Sequence, residues 1–98
     1  MAARTRYLLT YDIRDPRRLR RVHQIAKDFG EPLQYSVFLC DLTRLELARL
    51  RRRLNCETHH REDSIAIIDL GPASGTAPRR IEFIGASPDL PNDDPFLW

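Results

Sequence analysis

The sequence predicts an α+β domain in which two helices pack on one face of a mainly antiparallel sheet. Three observations carry this prediction. Apolar, strand-forming runs occur at residues 7–13, 33–42 and 64–70. Between them lie two segments whose apolar residues recur every three or four positions, the period of a helix with one buried face. The 98-residue length suits one hydrophobic core and leaves no room for a second.

The elements follow in order. Tyr7 to Ile13 is a near-continuous apolar run, as a buried strand should be, and it carries Asp12 close to its end. Asp15 is a helix N-cap and Pro16 occupies the first helical position. Leu19, Val22, Ala26 and Phe29 then make one apolar face, and Gly30 supplies the stop. Leu33 to Leu42 is extended, long for one strand and without a Gly or Pro turn. It reads as a strand that bends or bulges near Ser36, or as two short strands. Thr43 and Glu46 form a capping box, Leu42 can staple onto Leu47, and Leu47, Leu50 and Leu54 form the buried stripe of a second helix. Arg51, Arg52 and Arg53 are expected in its last turn, with residues 55–62 as a polar loop. Ser64 to Leu70 is a strand, Gly71 to Pro78 a turn, and Ile81 to Ile84 a short final strand. The order is β-α-β(β)-α-β-β, a ferredoxin-like arrangement. Residues 1–85 make the domain; residues 86–98 are a Pro- and Asp-rich tail, a candidate interface segment whose Phe96, Leu97 and Trp98 are possible anchors.

Composition narrows the function. No apolar run reaches the roughly 20 residues that span a bilayer, and Met1 to Arg6 lacks the apolar stretch of a secretory signal. Two cysteines are too few for a disulfide framework, so a reduced cytoplasmic protein is expected, without membrane attachment. Net charge is only +2, but residues 1–55 hold 13 Lys/Arg against 6 Asp/Glu, whereas residues 56–98 hold 3 against 8. Fifteen of the 16 basic residues are arginine, whose planar fork matches phosphate.

Two features could carry chemistry. Asp12 sits where a buried strand meets the loop before a helix, and a carboxylate there could bind Mg²⁺, which takes oxygen ligands and keeps several waters. It could equally be a turn residue bonded to its own backbone, or a partner of Arg14. One carboxylate is a poor metal site, but a two-fold axis would bring two copies together. Arg14, Arg17, Arg18, Arg20 and Arg21 follow within eight residues, offset only by Asp15, and repel one another unless anions are near. Such a patch binds backbones rather than reading bases. Arg44, Arg49 and Arg51 to Arg53 could extend it. Cys56, His59 and His60 fall short of a zinc site and read as a polar loop. Tyr7, Tyr11, Tyr35 and Phe38 read as core or interface residues rather than base-stacking platforms. No phosphate-binding glycine loop, metalloprotease motif or glycine-flanked nucleophilic serine is present.

The run YLLTYDIRDPRRLRRVHQIAKDFG, then LQYSVFLCDLT, a capped helix and REDSIAIIDL resembles the small CRISPR-associated spacer-acquisition and endonuclease family (Cas-two) over about residues 6–70. The order and spacing of these segments carry the resemblance more than any one motif. It implies a ferredoxin-like homodimer in which Asp12 is the catalytic, Mg²⁺-binding acid facing its twin. It implies that Tyr11 and the arginines of 17–21 lie near bound DNA or RNA. It also implies a partner, the CRISPR integrase (Cas-one), with the dimer bridging two integrase dimers, and Mg²⁺-dependent cleavage of single-stranded RNA or double-stranded DNA. Cys40 departs from the pattern, where an acidic residue is frequent. A toxin-type endoribonuclease and a non-catalytic structural adaptor are the alternatives. A small-molecule regulatory domain is disfavoured by the arginine density.

Overall fold

A computed structural model describes residues 3–74 and 81–86. Strands β1 (Thr5–Asp12), β2 (Glu31–Gln34), β3 (Val37–Leu42) and β4 (Ser64–Pro72) form one sheet in the order β2-β3-β1-β4, and every neighbouring pair is antiparallel. Helix α1 (Pro16–Phe29) connects β1 to β2, and α2 (Arg44–Glu57) connects β3 to β4. This is the ferredoxin-like α+β arrangement expected from the sequence.

Strand periodicity builds the core. Leu9 stands opposite Phe38 and Tyr7 opposite Cys40, so these side chains share one face. That face meets Val22, Ile25 and Ala26 of α1 and Leu47, Leu50 and Leu54 of α2. Leu19 and Phe29 pack at its margin. Thr43 accepts the Glu46 N–H while the Glu46 carboxylate accepts the Thr43 N–H, closing the expected capping box. Asp15 accepts the N–H groups of Arg17 and Arg18, and those bonds hold its carboxyl below the usual range. Gly30 ends α1 in extended backbone, and its lack of a side chain serves close approach: a Cβ there would collide with the Leu39 carbonyl and Cys40 Sγ.

The opposite sheet face carries a second cluster. Leu33 and Leu39 are buried there, with Leu8, Val37, Leu70, Ile81 and Phe83 packed on them. Arg6 is buried at its edge and forms a two-pronged pair with its cross-strand neighbour Asp41, both bonds 2.8 Å long.

One open reading is decided and three boundaries differ from expectation. The stretch 31–42 is a hairpin whose two-residue turn, Tyr35–Ser36, needs neither Gly nor Pro; of the two readings, that of two short strands holds. Helix α2 runs through Glu57, so Asn55 and Cys56 are helical and Arg51 to Arg53 lie before the last turn, which holds no basic residue. Its end is made by Thr58, whose hydroxyl and N–H both donate to the Leu54 carbonyl. Strand β4 extends to Pro72, past Gly71 (φ 95°), whose N–H donates to Asp69. Residues 81–84 do not form a strand: Ile81 and Phe83 use their alternation to lay two side chains on the second face. The tail over 87–98, with Phe96, Leu97 and Trp98, lies outside the described residues.

Candidate nucleic-acid interface at the end of the first strand

Asp12 is the last residue of β1, opposite Ser64 of β4, and it is exposed. The backbone around it is fixed from both sides. Tyr11 points into the core and its N–H donates to the Ser36 carbonyl at 3.2 Å. Ile13 is buried, and the Arg14 N–H donates to Asp63 Oδ1 at 3.0 Å. A carboxylate held out to solvent on a pinned strand end can meet a ligand without first being ordered.

Asp63 organises the loop below it. Its side chain has no exposed surface and accepts from Arg18 Nε at 2.8 Å, Arg18 Nη2 at 3.2 Å and the His59 N–H at 2.9 Å, besides Arg14. Arg18, foremost, and these N–H groups hold its carboxyl far below the usual range. Arg18 also reaches Glu62 at 2.9 Å. The five-arginine cluster therefore divides. Arg18 is committed to the loop before β4, and Arg21 lies 3.6 Å from Glu57. The side chains of Arg14, Arg17 and Arg20 are exposed and make no ion pair among the described residues. On α2, Arg53 pairs with Asp28 at 3.0 Å and lies over the Phe29 ring. The mutual repulsion expected of the cluster is thus partly relieved from within, by carboxylates of the acidic second half.

Tyr11, expected beside nucleic acid, is a core residue in this chain. Its hydroxyl lies 2.7 Å from His23 Nδ1, and burial, with Tyr35 second, pushes its pKa up to about 12. Tyr7 and Phe38 also belong to the core, but Tyr35 does not: it is 76% exposed in the β2–β3 turn. His59 Nδ1 accepts from the backbone of Arg61 and Glu62, closing its own turn.

Residues 5–75 match the family model described as CRISPR associated protein Cas2. The chain belongs to the Cas2 family. It is 41% identical over 73 residues to a protein of Geobacter sulfurreducens named CRISPR-associated endoribonuclease Cas2, covering 74% of this chain and 77% of that one. It is 31% identical over 96 residues to a CRISPR-associated endonuclease Cas2 of Halalkalibacterium halodurans, covering 93% and 97%. Among solved structures, Streptococcus pyogenes Cas2 superposes with a TM-score of 0.70 at 34% identity, covering 82% of this chain and 99% of that one.

A metal-dependent Cas2 nuclease needs oxygen ligands, and the described residues contain no group of three or more His, Cys, Asp or Glu that could hold a metal. At the end of β1 the chain offers the exposed carboxylate of Asp12. That donor set fits Mg²⁺, which binds through one or two carboxylates and keeps its waters; it does not fit a closed zinc site. Among the described residues no helix is long and apolar enough to cross a membrane.

Sequence reasoning missed Asp63 and Asp41, the two carboxylates that fix Arg18 and Arg6. Both pairings depend on which strands lie side by side. The available signal was weak: Asp63 directly precedes the strand whose first residue sits opposite Asp12.

Proposed function

We propose that this chain acts as a homodimeric, Mg²⁺-dependent endonuclease of CRISPR spacer acquisition that also bridges the CRISPR integrase (Cas-one). The observation carrying this reading is the exposed Asp12 carboxylate on a pinned strand end, followed at once by Arg14 and Arg17, whose exposed side chains make no ion pair among the described residues. The names of its relatives support nuclease chemistry on this fold. Asp12 and the same residue of a second copy would hold Mg²⁺, since an isologous interface repeats each residue about its axis. The ion, when bound, supplies charge neutralisation at the scissile phosphate and lowers the pKa of its water. Arg14, Arg17 and Arg20 hold the DNA or RNA backbone and offset its charge. Arg18 instead holds the loop over 58–63 against α1 and leaves backbone binding to its neighbours. The apolar second sheet face, with Ile68 exposed beside Leu8, supplies a surface for the second copy.

A second reading, a dimer that binds and bridges without cutting, is favoured by one specific observation: among the described residues no group of three or more His, Cys, Asp or Glu could hold a metal. Asp12→Ala separates the two. Loss of Mg²⁺-dependent cleavage of RNA and DNA, with assembly on integrase and protospacer DNA intact, supports the nuclease. Absence of cleavage by the wild type across pH and divalent metals, with both proteins assembling, leaves the adaptor and removes Asp12 as a catalytic residue.

A further inference from the structure

Tyr35 is the most exposed aromatic side chain of the described sheet and its turns, yet it is not loose. Its ring stacks on the His23 imidazole, with centroids 6.0 Å apart and planes 25° apart. His23 meets Phe38 edge-on at 5.4 Å, and Phe38 is fully buried and stacked on Tyr11. The Tyr11 hydroxyl also fixes the imidazole through Nδ1. These separations lie in the range of favourable offset and edge-to-face ring pairs. A chain of rings therefore runs from the core to the surface and ends in an aromatic face turned to water.

The α1 positions beside its His23 backing are cationic. Arg20 stands three residues before His23 and Lys27 four after it, so on α1 both neighbour the imidazole. Both are exposed, and Arg20 and Lys27 make no ion pair among the described residues. The seven helical steps from one to the other span about 10 Å. An aromatic face flanked by cations is the combination that binds single strands: bases stack on the ring and phosphates meet the cations, with little sequence preference. A duplex, whose bases are already stacked, cannot use the ring. A mere surface tyrosine would not need a backing of three ordered rings.

We propose that Tyr35, backed by His23 and flanked by Arg20 and Lys27, is a stacking platform for an unpaired base of single-stranded nucleic acid. It lies on the helix side of the sheet end, whereas Asp12, one position after the inward-facing Tyr11, alternates toward the other face. The platform rests on the nucleic-acid reading above but not on the cleavage step. It gives the protein a means of preferring unpaired strands that the backbone-binding arginines lack.

The test uses the full chain, a labelled oligo-uridine or oligo-thymidine strand and a duplex of equal length, in anisotropy titrations at fixed salt. Tyr35→Ala is expected to weaken single-strand binding by about five- to a hundred-fold, from the usual worth of one base–aromatic stack, and to leave duplex binding unchanged. Tyr35→Phe keeps the ring and is expected to bind as wild type. A 2-aminopurine strand should be quenched by wild type and by Tyr35→Phe but not by Tyr35→Ala. Unchanged single-strand affinity in Tyr35→Ala overturns the proposal. So does equal weakening on duplex, or a change of oligomeric state on size exclusion, which would make Tyr35 an interface residue. Asp12→Ala, run in parallel, reads the other claim: normal quenching without cleavage leaves both standing, and a wild type that quenches without cleaving removes the nuclease while keeping the platform.

Discussion

Replacing Arg14, Arg17 and Arg20 together by alanine should flatten the salt dependence of nucleic-acid binding, whereas Arg18→Ala should not. The structure separates these residues although the sequence places them within seven positions. Arg18 makes three hydrogen bonds to Asp63 and Glu62, so its charge is already neutralised. The other three side chains are exposed and make no ion pair among the described residues. Each phosphate contact contributes about 0.9 to the slope of log K against log salt on duplex DNA and about 0.7 on single strands. Removing three should reduce the slope by about 2.7 on duplex, so the affinity lost between 50 and 200 mM salt shrinks by about 40-fold. Anisotropy titrations at four salt concentrations measure this directly. Arg18→Ala should keep the wild-type slope and instead lower the melting temperature, because it strips the partner from a buried carboxylate. A triple variant with an unchanged slope, or an Arg18→Ala slope reduced as much as that of Arg17→Ala, would refute the division of the cluster.

Three further outcomes follow from the packing. Asp63 has a depressed folded pKa, so its contribution to stability is complete above the unfolded carboxylate value near pH 4 and is lost as pH falls below it; Asp63→Asn should melt lower at neutral pH and show a flatter acid limb in melting curves taken from pH 2 to 7. Burial, with Asp41 second, pushes the Cys40 thiol up to about 12, whereas Cys56 is exposed. Iodoacetamide at pH 8 should therefore label one cysteine of the native protein, Cys56, and both after denaturation, as read by mass spectrometry. Leu50 is fully buried on the inner face of α2, so Leu50→Ala should lose about 2–5 kcal/mol in urea unfolding; a loss below about 1 kcal/mol would mean the site collapses around the smaller side chain.

The helices were legible because their signals are local. Asp15 with Pro16, and Thr43 with Glu46, mark their starts within four residues of chain, and the leucines of α2 repeat at the helical period. The end of α2 was not, because Thr58 caps it through a side-chain hydroxyl rather than through a glycine. The hairpin between β2 and β3 was half-legible, since Tyr35 and Ser36 turn the chain without the residues that usually announce a two-residue turn. Residues 81–84 alternate like a strand, but alternation records which side chains meet an apolar face and not whether the backbone joins a ladder. The position of Asp12 at the end of the first strand was legible from the apolar run before it. Which arginines keep their charge available was not, because that depends on the loop over 58–63 folding back onto α1. Tyr35, read from its apolar neighbours as core or interface, lies at a turn whose reversal puts it in water.

The central claim, that two copies of Asp12 make one metal site, is tested most directly by mixing. Wild type and Asp12→Ala are unfolded together, refolded at a series of ratios, and assayed for Mg²⁺-dependent cleavage at constant total protein. If both carboxylates are needed, activity falls as the square of the wild-type fraction, so that an equal mixture retains about one quarter. A linear fall, with one half retained, would mean each chain cuts with its own Asp12, and the shared site would be wrong.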